Sequence, residues 1–405
     1  MAQRVILGVG AGISAYKVCE LLRRLTESGC AVRVVPTRDA LRFVGEVTWA
    51  ALSGRPAVTD AWQDVHEVPH VRLGQWADLV FVAPATADLL ARAASGRADD
   101  LLTATLLTAR CPVVYAPAMH TEMWEHPATQ ANVTLLRERG AVVVGPASGR
   151  LTGADTGPGR LPDPAELAEV AFRILGRGTA GVQPDLAGRR VAVSAGGTRE
   201  ELDPVRFLGN WSSGRQGYAL ARTAVARGAD VTLVAANVSL PGPAGVKVVP
   251  VVSARDLEAA MTAAAADADA VVMAAAVADF RPAVRNEAKI KKTGAGPEPI
   301  VLTENPDVLR GLAARRAHPG QVVVGFGAET EDLLSNGRAK LARKGCDLLV
   351  VNQVGGGLAF GTSDNAAVIL GADGSVTEVP RGRKEALADV VWDLVAARWR
   401  PASAG

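Results

Sequence analysis

Cysteine is scarce and never paired. Cys19, Cys30, Cys111 and Cys346 stand singly, with no C-x-x-C spacing. That argues against a disulfide framework or a thiolate zinc site and for a reducing compartment, so a cytoplasmic protein is expected. Long apolar runs are lacking too: none reaches the length of a membrane span. The opening MAQRVILGVGAG is too short and glycine-broken for the apolar core of a secretory signal. Nor is there an excess of one charge. A net +2 at pH 7 gives no pull toward nucleic acid or an anionic membrane. What is present is an ordinary globular composition, 48% hydrophobic and 21% charged. A length of 405 residues predicts two domains.

Apolar runs alternate with helical patterns along the chain. Runs at 5–8, 32–35, 79–83, 113–116 and 141–144 read as buried parallel strands, with helical stretches at 15–27, 85–94 and 128–139 between them. A helix at about 163–175 follows. Segment 176–188 (GRGTAGVQPDLAG) is rich in Gly and Pro and lacks periodicity, which marks a linker. The rhythm restarts with runs at 191–194, 231–235, 270–275, 322–327 and 348–352. The reading is α/β, with two doubly wound domains at 1–178 and 189–405 joined by a linker at 179–188. Residues 286–299, polar, lysine-bearing and rich in Gly and Pro, read as a long loop with a functional role.

The most informative string is SAGGTREELDPVRFLGNWSSGRQG, 194–217. It follows an apolar strand and runs into an alanine-rich helix. Gly196 and Gly197 let a ligand approach the backbone, and Ser212, Ser213 and Gly214 lie at the next helix N-terminus, where free N–H groups favour an anion. Read residue by residue, a tight turn that binds nothing explains the glycines as well. In the N-terminal half, GVGAGISAYK opens the first helix with Gly10, Gly12 and Ser14. Thr37, then Ala85 and Thr86, then Met119 follow three further strands. Hydroxyls and loop N–H groups converging at strand ends suit a mononucleotide, although each hydroxyl alone could be a helix cap.

Together the N-terminal segments resemble the flavin-dependent cysteine decarboxylase family over 1–175, in GVGAGISAYK, VPHVRL, VAPATADLLARAASGRADDLL and PAMHTEMW. The resemblance implies a flavodoxin-like fold, FMN, homotrimers, and decarboxylation of 4′-phosphopantothenoylcysteine to 4′-phosphopantetheine. His70 matches the family's active-site histidine. Two positions depart from the pattern. His120 stands where the family has an asparagine that contacts the substrate carboxylate. The substrate-covering flap, GRLTGADTGPGRLPDP, lacks the usual cysteine but keeps Asp155, Gly157, Pro158, Gly159 and Arg160.

The string at 194–217, with AAAVADFRP, KIKK, TENPDVL, VGFGAET, KLARKGCDLLVVN and FGTSDN, resembles phosphopantothenate–cysteine ligase over about 187–400. The resemblance implies a Rossmann-like domain in which CTP activates 4′-phosphopantothenate as an acyl-cytidylate and L-cysteine then attacks. Lys289 matches the lysine required for cytidylate formation, and Asn210 the asparagine of the second half-reaction. Ala275, Ala276, Asp279, Asn305, Pro306, Asp307, Val308, Leu309 and Phe326 fall at the expected CTP contacts. Lys340 and Lys344, four apart on one helix face, are placed to reach the same polyphosphate. Mg²⁺ is expected mainly through the CTP phosphates, with Asp279 as a further ligand. Asp203 and Arg206 read equally as an internal ion pair or as substrate contacts. Dimeric ligase domains joined to trimeric flavin domains would build a dodecamer. Two other functions stay open: a CTP ligase whose flavin domain is only a scaffold, and a non-catalytic nucleotide-binding flavoprotein.

Overall fold

In the computed structural model the described residues are 2–58, 68–150, 156–291, 299–329, 332–353 and 364–399. They form two compact units, Met1–Gln183 and Pro184–Gly405.

The first unit is built on a five-stranded parallel sheet of β1 (Arg4–Val9), β2 (Ala31–Pro36), β3 (Leu79–Ala85), β4 (Val113–Pro117) and β5 (Val142–Val143). The order β2-β1-β3-β4-β5 is that of a flavodoxin-like fold, with its switch point between β1 and β3. Its helices are α1 (Ala15–Glu27), α2 (Glu46–Ser53), α3 (Pro69–Trp76), α4 (Ala87–Ser95), α5 (Leu101–Thr108), α6 (Thr121–Glu125), α7 (Pro127–Glu138) and α8 (Pro164–Arg177). They cover both faces, which is why β3 is buried at every position. Successive residues serve opposite faces. Val5 and Leu7 pack with Leu21 and Leu25 of α1, Trp49 of α2 and Ile174 of α8; Ile6 packs with Leu89 and Leu102 on the other side. A hairpin of β6 (Ala147–Arg150) and β7 (Thr156–Arg160) adds to this sheet domain.

The Gly/Pro-rich segment after α8 is not bare linker. A 3₁₀ turn, Gly178–Val182, follows the helix at once, and the buried Arg173 guanidinium donates to the Gly181 carbonyl at 2.9 Å. Leu186 is wholly buried in the core of the second unit, and its N–H donates to Arg227 O.

The second unit contains β8 (Arg190–Gly196), β9 (Arg199–Asp203), β10 (Arg206–Gly209), β11 (Asp230–Ala236), β12 (Val246–Val251), β13 (Ala270–Met273), β14 (Phe280–Pro282), β15 (Leu302–Glu304), β16 (Val322–Glu329), β17 (Leu348–Gln353), β18 (Asp364–Gly371) and β19 (Val376–Arg383). Its main sheet runs β12-β11-β8-β13-β16-β17-β18-β19. The first six strands are parallel in the classical dinucleotide-binding order, with the switch point between β8 and β13. β18 and β19 extend the sheet antiparallel. The helices are α9 (Arg215–Ala226), α10 (Ala254–Ala265), α11 (Val308–Ala314), α12 (Leu333–Lys344) and α13 (Lys384–Trp399). Two hairpins, β9–β10 and β14–β15, stand apart from the main sheet.

Candidate active sites

In the first unit the predicted flavin residues gather at the strand ends around the β1/β3 switch point. Gly10 N–H donates to Pro84 O at 3.1 Å, and a Cβ on Gly10 would fall 2.4 Å from that oxygen, so only glycine closes this approach. A Cβ on Gly12 would lie 3.9 Å from Ser14 Oγ and 4.0 Å from Thr86 Cγ2, which puts these three residues around one small space at the start of α1. Ser14 occupies the N-cap of α1 without a side-chain capping bond. Thr37 and Thr86 do cap helices: their hydroxyls accept from Ala40 N at 3.3 Å and Leu89 N at 3.2 Å. A capping hydroxyl still has its own proton to give to a ligand. Ala85, fully buried, ends β3 and accepts from Ala118 N.

The glycines of β7 press the hairpin onto the 119–121 loop. Met119 N donates to Gly159 O at 2.9 Å. A Cβ on Gly159 (φ +151°) would come within 2.2 Å of Met119 O, and one on Gly157 within 2.4 Å of Thr121 Oγ1. His120 lies between them at the N-cap of α6, about half exposed, with Nδ1 4.0 Å from Glu122 Oε2. Thr121 Oγ1 is buried and has no hydrogen-bond partner among the described residues, which leaves a donor to be satisfied there. Pro158 pairs with Ser148 and Arg160 with Ala147. Asp155 lies outside the described residues. His70 sits in the first turn of α3, partly buried, its carbonyl accepting from Thr108 Oγ1 at 2.7 Å. α3 leads back into β3, so crossover geometry turns its N-terminus toward the strand ends.

In the second unit the site is stitched by hydrogen bonds. The buried Ser194 Oγ accepts from Ala275 N at 3.1 Å, Ala276 N donates to Gly196 O at 2.8 Å, and Thr198 Oγ1 accepts from Ala278 N at 2.9 Å. These bonds hold the ends of β8 and β13 together as one platform. Asn210 spans it: its Nδ2 donates to Val277 O at 2.9 Å, and a Cβ on Gly197 would meet Asn210 O at 2.5 Å. Gly217 brings α9 against β8, where a Cβ would fall 2.7 Å from Ser194 O.

Asn305 closes the other side. Its N–H donates to Asp279 O and its Nδ2 to Ala278 O, both at 2.8 Å. Pro306 leads to Asp307, which caps α11 ahead of the buried Val308 and Leu309. Asp307 also accepts from Lys344 Nζ at 2.6 Å. Burial works against ionisation of Asp307, but the Lys344 hydrogen bond and the Arg310 N–H hold its carboxyl below the usual range. A Cβ on Gly327 would lie 3.2 Å from Lys340 Nζ, so this ammonium sits over β16, while the partly buried Phe326 packs into the core on the opposite face of the sheet. Lys340 and Lys344 thus lie on the same helix, and Lys344 is engaged by Asp307. Lys289 is exposed.

Asp203 and Arg206 form an internal ion pair at 2.5 Å. Hydrogen bonding from Arg206 holds the Asp203 carboxyl far below the ordinary carboxylate range. Ser194, Thr198 and Asn237, whose Nδ2 donates to Gly197 O, belong to the platform but were not singled out from sequence. One signal was readable: Ser194 is a polar residue ending an apolar strand.

The match to known families covers both units. Residues 1–175 match the Flavoprotein family, and 186–398 the DNA/pantothenate metabolism flavoprotein C-terminal domain. The chain is therefore a flavoprotein unit joined to a pantothenate-metabolism domain. Over 403 residues it is 59% identical to the coenzyme A biosynthesis bifunctional protein CoaBC of Mycobacterium bovis, covering 97% of this chain and 96% of that one. It is 58% identical to that of Mycolicibacterium smegmatis (98% and 97%) and 41% identical to that of Vibrio cholerae (97% and 98%). A crystal structure of the C-terminal domain of a CoaBC protein matches with a TM-score of 0.45 at 32% identity, over 53% of this chain and 97% of that one. The chain belongs to the family of coenzyme A biosynthesis bifunctional proteins.

Proposed function

We propose that this protein is a bifunctional enzyme of coenzyme A biosynthesis. Its second unit joins 4′-phosphopantothenate to L-cysteine at the expense of CTP, and its first decarboxylates the 4′-phosphopantothenoylcysteine so formed. The observation that carries this reading is similarity along the whole length, together with a switch point in each sheet, the place where α/β sheets of this kind bind nucleotides.

The first unit fits FMN. Gly10 lets the β1 end close on Pro84, Gly12 leaves room beside the start of α1, and Thr121 Oγ1 is a buried donor with no partner among the described residues. Gly10, Gly12, Ser14, Thr37, Ala85, Thr86 and Met119 would hold the group, whose two-electron chemistry supplies the electron sink that an alkyl carboxylate lacks. His70 and His120 bind the substrate carboxylate and move protons. Gly157, Pro158, Gly159 and Arg160, with Asp155, cover the substrate.

In the second unit Ala275, Ala276, Asp279, Phe326 and Asn305 through Leu309 bind CTP. Lys289, Lys340 and Lys344 offset the repulsion between triphosphate and carboxylate and stabilise departing pyrophosphate. Asn210 hydrogen-bonds the acyl-cytidylate as cysteine attacks. Mg²⁺ enters with the phosphates, beside Asp279. Among the described residues no group of three His, Cys, Asp or Glu side chains is arranged to hold a metal ion.

Exposed apolar residues support self-association of each unit. The first unit is proposed to trimerise and the second to dimerise; Ile13, Tyr16, Phe43 and Val47 on the first, and Val205, Phe207, Val284 and Val301 on the second, are exposed apolar side chains available for such contacts. The cytoplasm is the proposed compartment. Purified protein should be yellow, release FMN on denaturation and show both half-reactions. A colourless protein that cannot take up FMN would remove the first assignment, and absence of CTP-dependent pyrophosphate release the second.

A further inference from the structure

Ile290, the residue after Lys289, is gripped at both ends of its backbone by one ion pair. Its N–H donates to Asp203 Oδ2 at 3.1 Å, and its carbonyl accepts from Arg206 Nη2 at 2.8 Å. Burial does not hold it, because its side chain is among the exposed hydrophobics. The described part of this loop has no regular structure after β14. It meets β9 at two further points, Asn286 N to Leu202 O at 3.0 Å and the exposed Arg285–Glu201 pair. An exposed pair of that kind adds little.

Asp203 differs from such a pair. Its side chain is fully buried. It accepts from Val205 N and Arg206 N at 2.9 Å through Oδ1, and from Arg206 Nε at 2.9 Å through Oδ2. A buried carboxylate is tolerated only when satisfied this completely. The turn that satisfies it is the β9–β10 hairpin, which ends at Gly209, one residue before Asn210.

We propose that Asp203 is a positioning residue for the ligase reaction: with Arg206 it fixes the peptide at Ile290 and so presents Lys289 to the nucleotide. One hairpin then sets the place of both assigned groups, Asn210 by direct continuation and Lys289 through Asp203. This rests on the role proposed above for Lys289.

The test is Asp203→Asn in the full chain. The amide keeps the size but cannot accept the Ile290 N–H and the Arg206 guanidinium as a carboxylate does. Acyl-cytidylate formation should fall in kcat by about 10²-fold, the cost of a misplaced catalytic group. KM for CTP should stay within about threefold. Amide exchange in a peptide spanning 285–291 should quicken. CO₂ release from preformed 4′-phosphopantothenoylcysteine should be unchanged, which shows that the protein is intact. Unchanged exchange at 285–291, or a loss confined to KM, would overturn the proposal. A normal cytidylate rate in Lys289→Gln would remove the reading beneath it, and the proposal with it.

Discussion

The two units build the switch points of similar sheets by different means. The first holds its pocket by close approach: Gly10 against Pro84, Gly157 against Thr121 and Gly159 against Met119 leave no room for a Cβ. The second holds its pocket by hydrogen bonds across the switch point, from Ser194, Thr198, Asn210 and Asn305 to the backbone at 275–279, with lysines around it. On the function proposed above, a flavin ring to be gripped calls for shape, and a triphosphate calls for charge and fixed donors. The first unit should therefore break under added volume and the second under lost charge.

The largest effect is expected where each unit does chemistry. His70→Asn should lower CO₂ release by about 10²–10⁴-fold, the usual value of a proton-handling group, and leave pyrophosphate release intact. Assaying both activities on one preparation checks this, and loss of both in a folded variant would contradict separate sites. Next, Lys289→Gln should cut acyl-cytidylate formation by about 10²–10³-fold. Asn210→Asp should instead accumulate the cytidylate, because a carboxylate repels it and donates no hydrogen bond. Mass spectrometry of quenched reactions separates the two, and normal cytidylate in the lysine variant would refute the division of labour. Gly10→Ala should weaken FMN retention by roughly tenfold or more, a loss of about 1.4 kcal/mol, with ligase turnover unchanged. Flavin fluorescence titration reads it, and wild-type affinity would show that close approach is not what holds the pocket.

The smallest expected effect is on stability in acid. The folded carboxyl of Asp203 titrates below its unfolded value of about 3.9. Its contribution is therefore complete above that value and is lost as pH falls toward the folded pKa. The melting temperature of wild type should drop between about pH 4 and pH 2 more than that of Asp203→Asn. Parallel melting curves across that range would contradict it.

The parallel strands were legible because strands buried on both faces are continuous apolar runs. The hairpins were not: the strands of β9–β10 and β14–β15 are only three to five residues long, with no continuous apolar run to betray them. β12 was missed because Pro250 interrupts it, and it lies at the sheet edge where proline is tolerated. β18 and β19 carried a readable signal, Asp373-Gly374, with Gly374 at φ +85° in the turn between them. At the sites, the glycine loops and the strand-end residues could be read locally. The Asp203–Ile290 bond joins residues 87 apart, and the Thr198–Ala278 bond residues 80 apart. No local pattern encodes such pairs. The Lys344–Asp307 pair likewise appears only once α12 and α11 are packed together.

The central claim is that both units work in sequence. It is tested most directly by supplying 4′-phosphopantothenate, CTP and L-cysteine labelled in its carboxyl carbon, and measuring labelled CO₂. The account predicts labelled CO₂ that depends on CTP and matches the 4′-phosphopantetheine formed. Pyrophosphate release with labelled 4′-phosphopantothenoylcysteine accumulating and no labelled CO₂ would contradict it, leaving the first unit as a scaffold for the second.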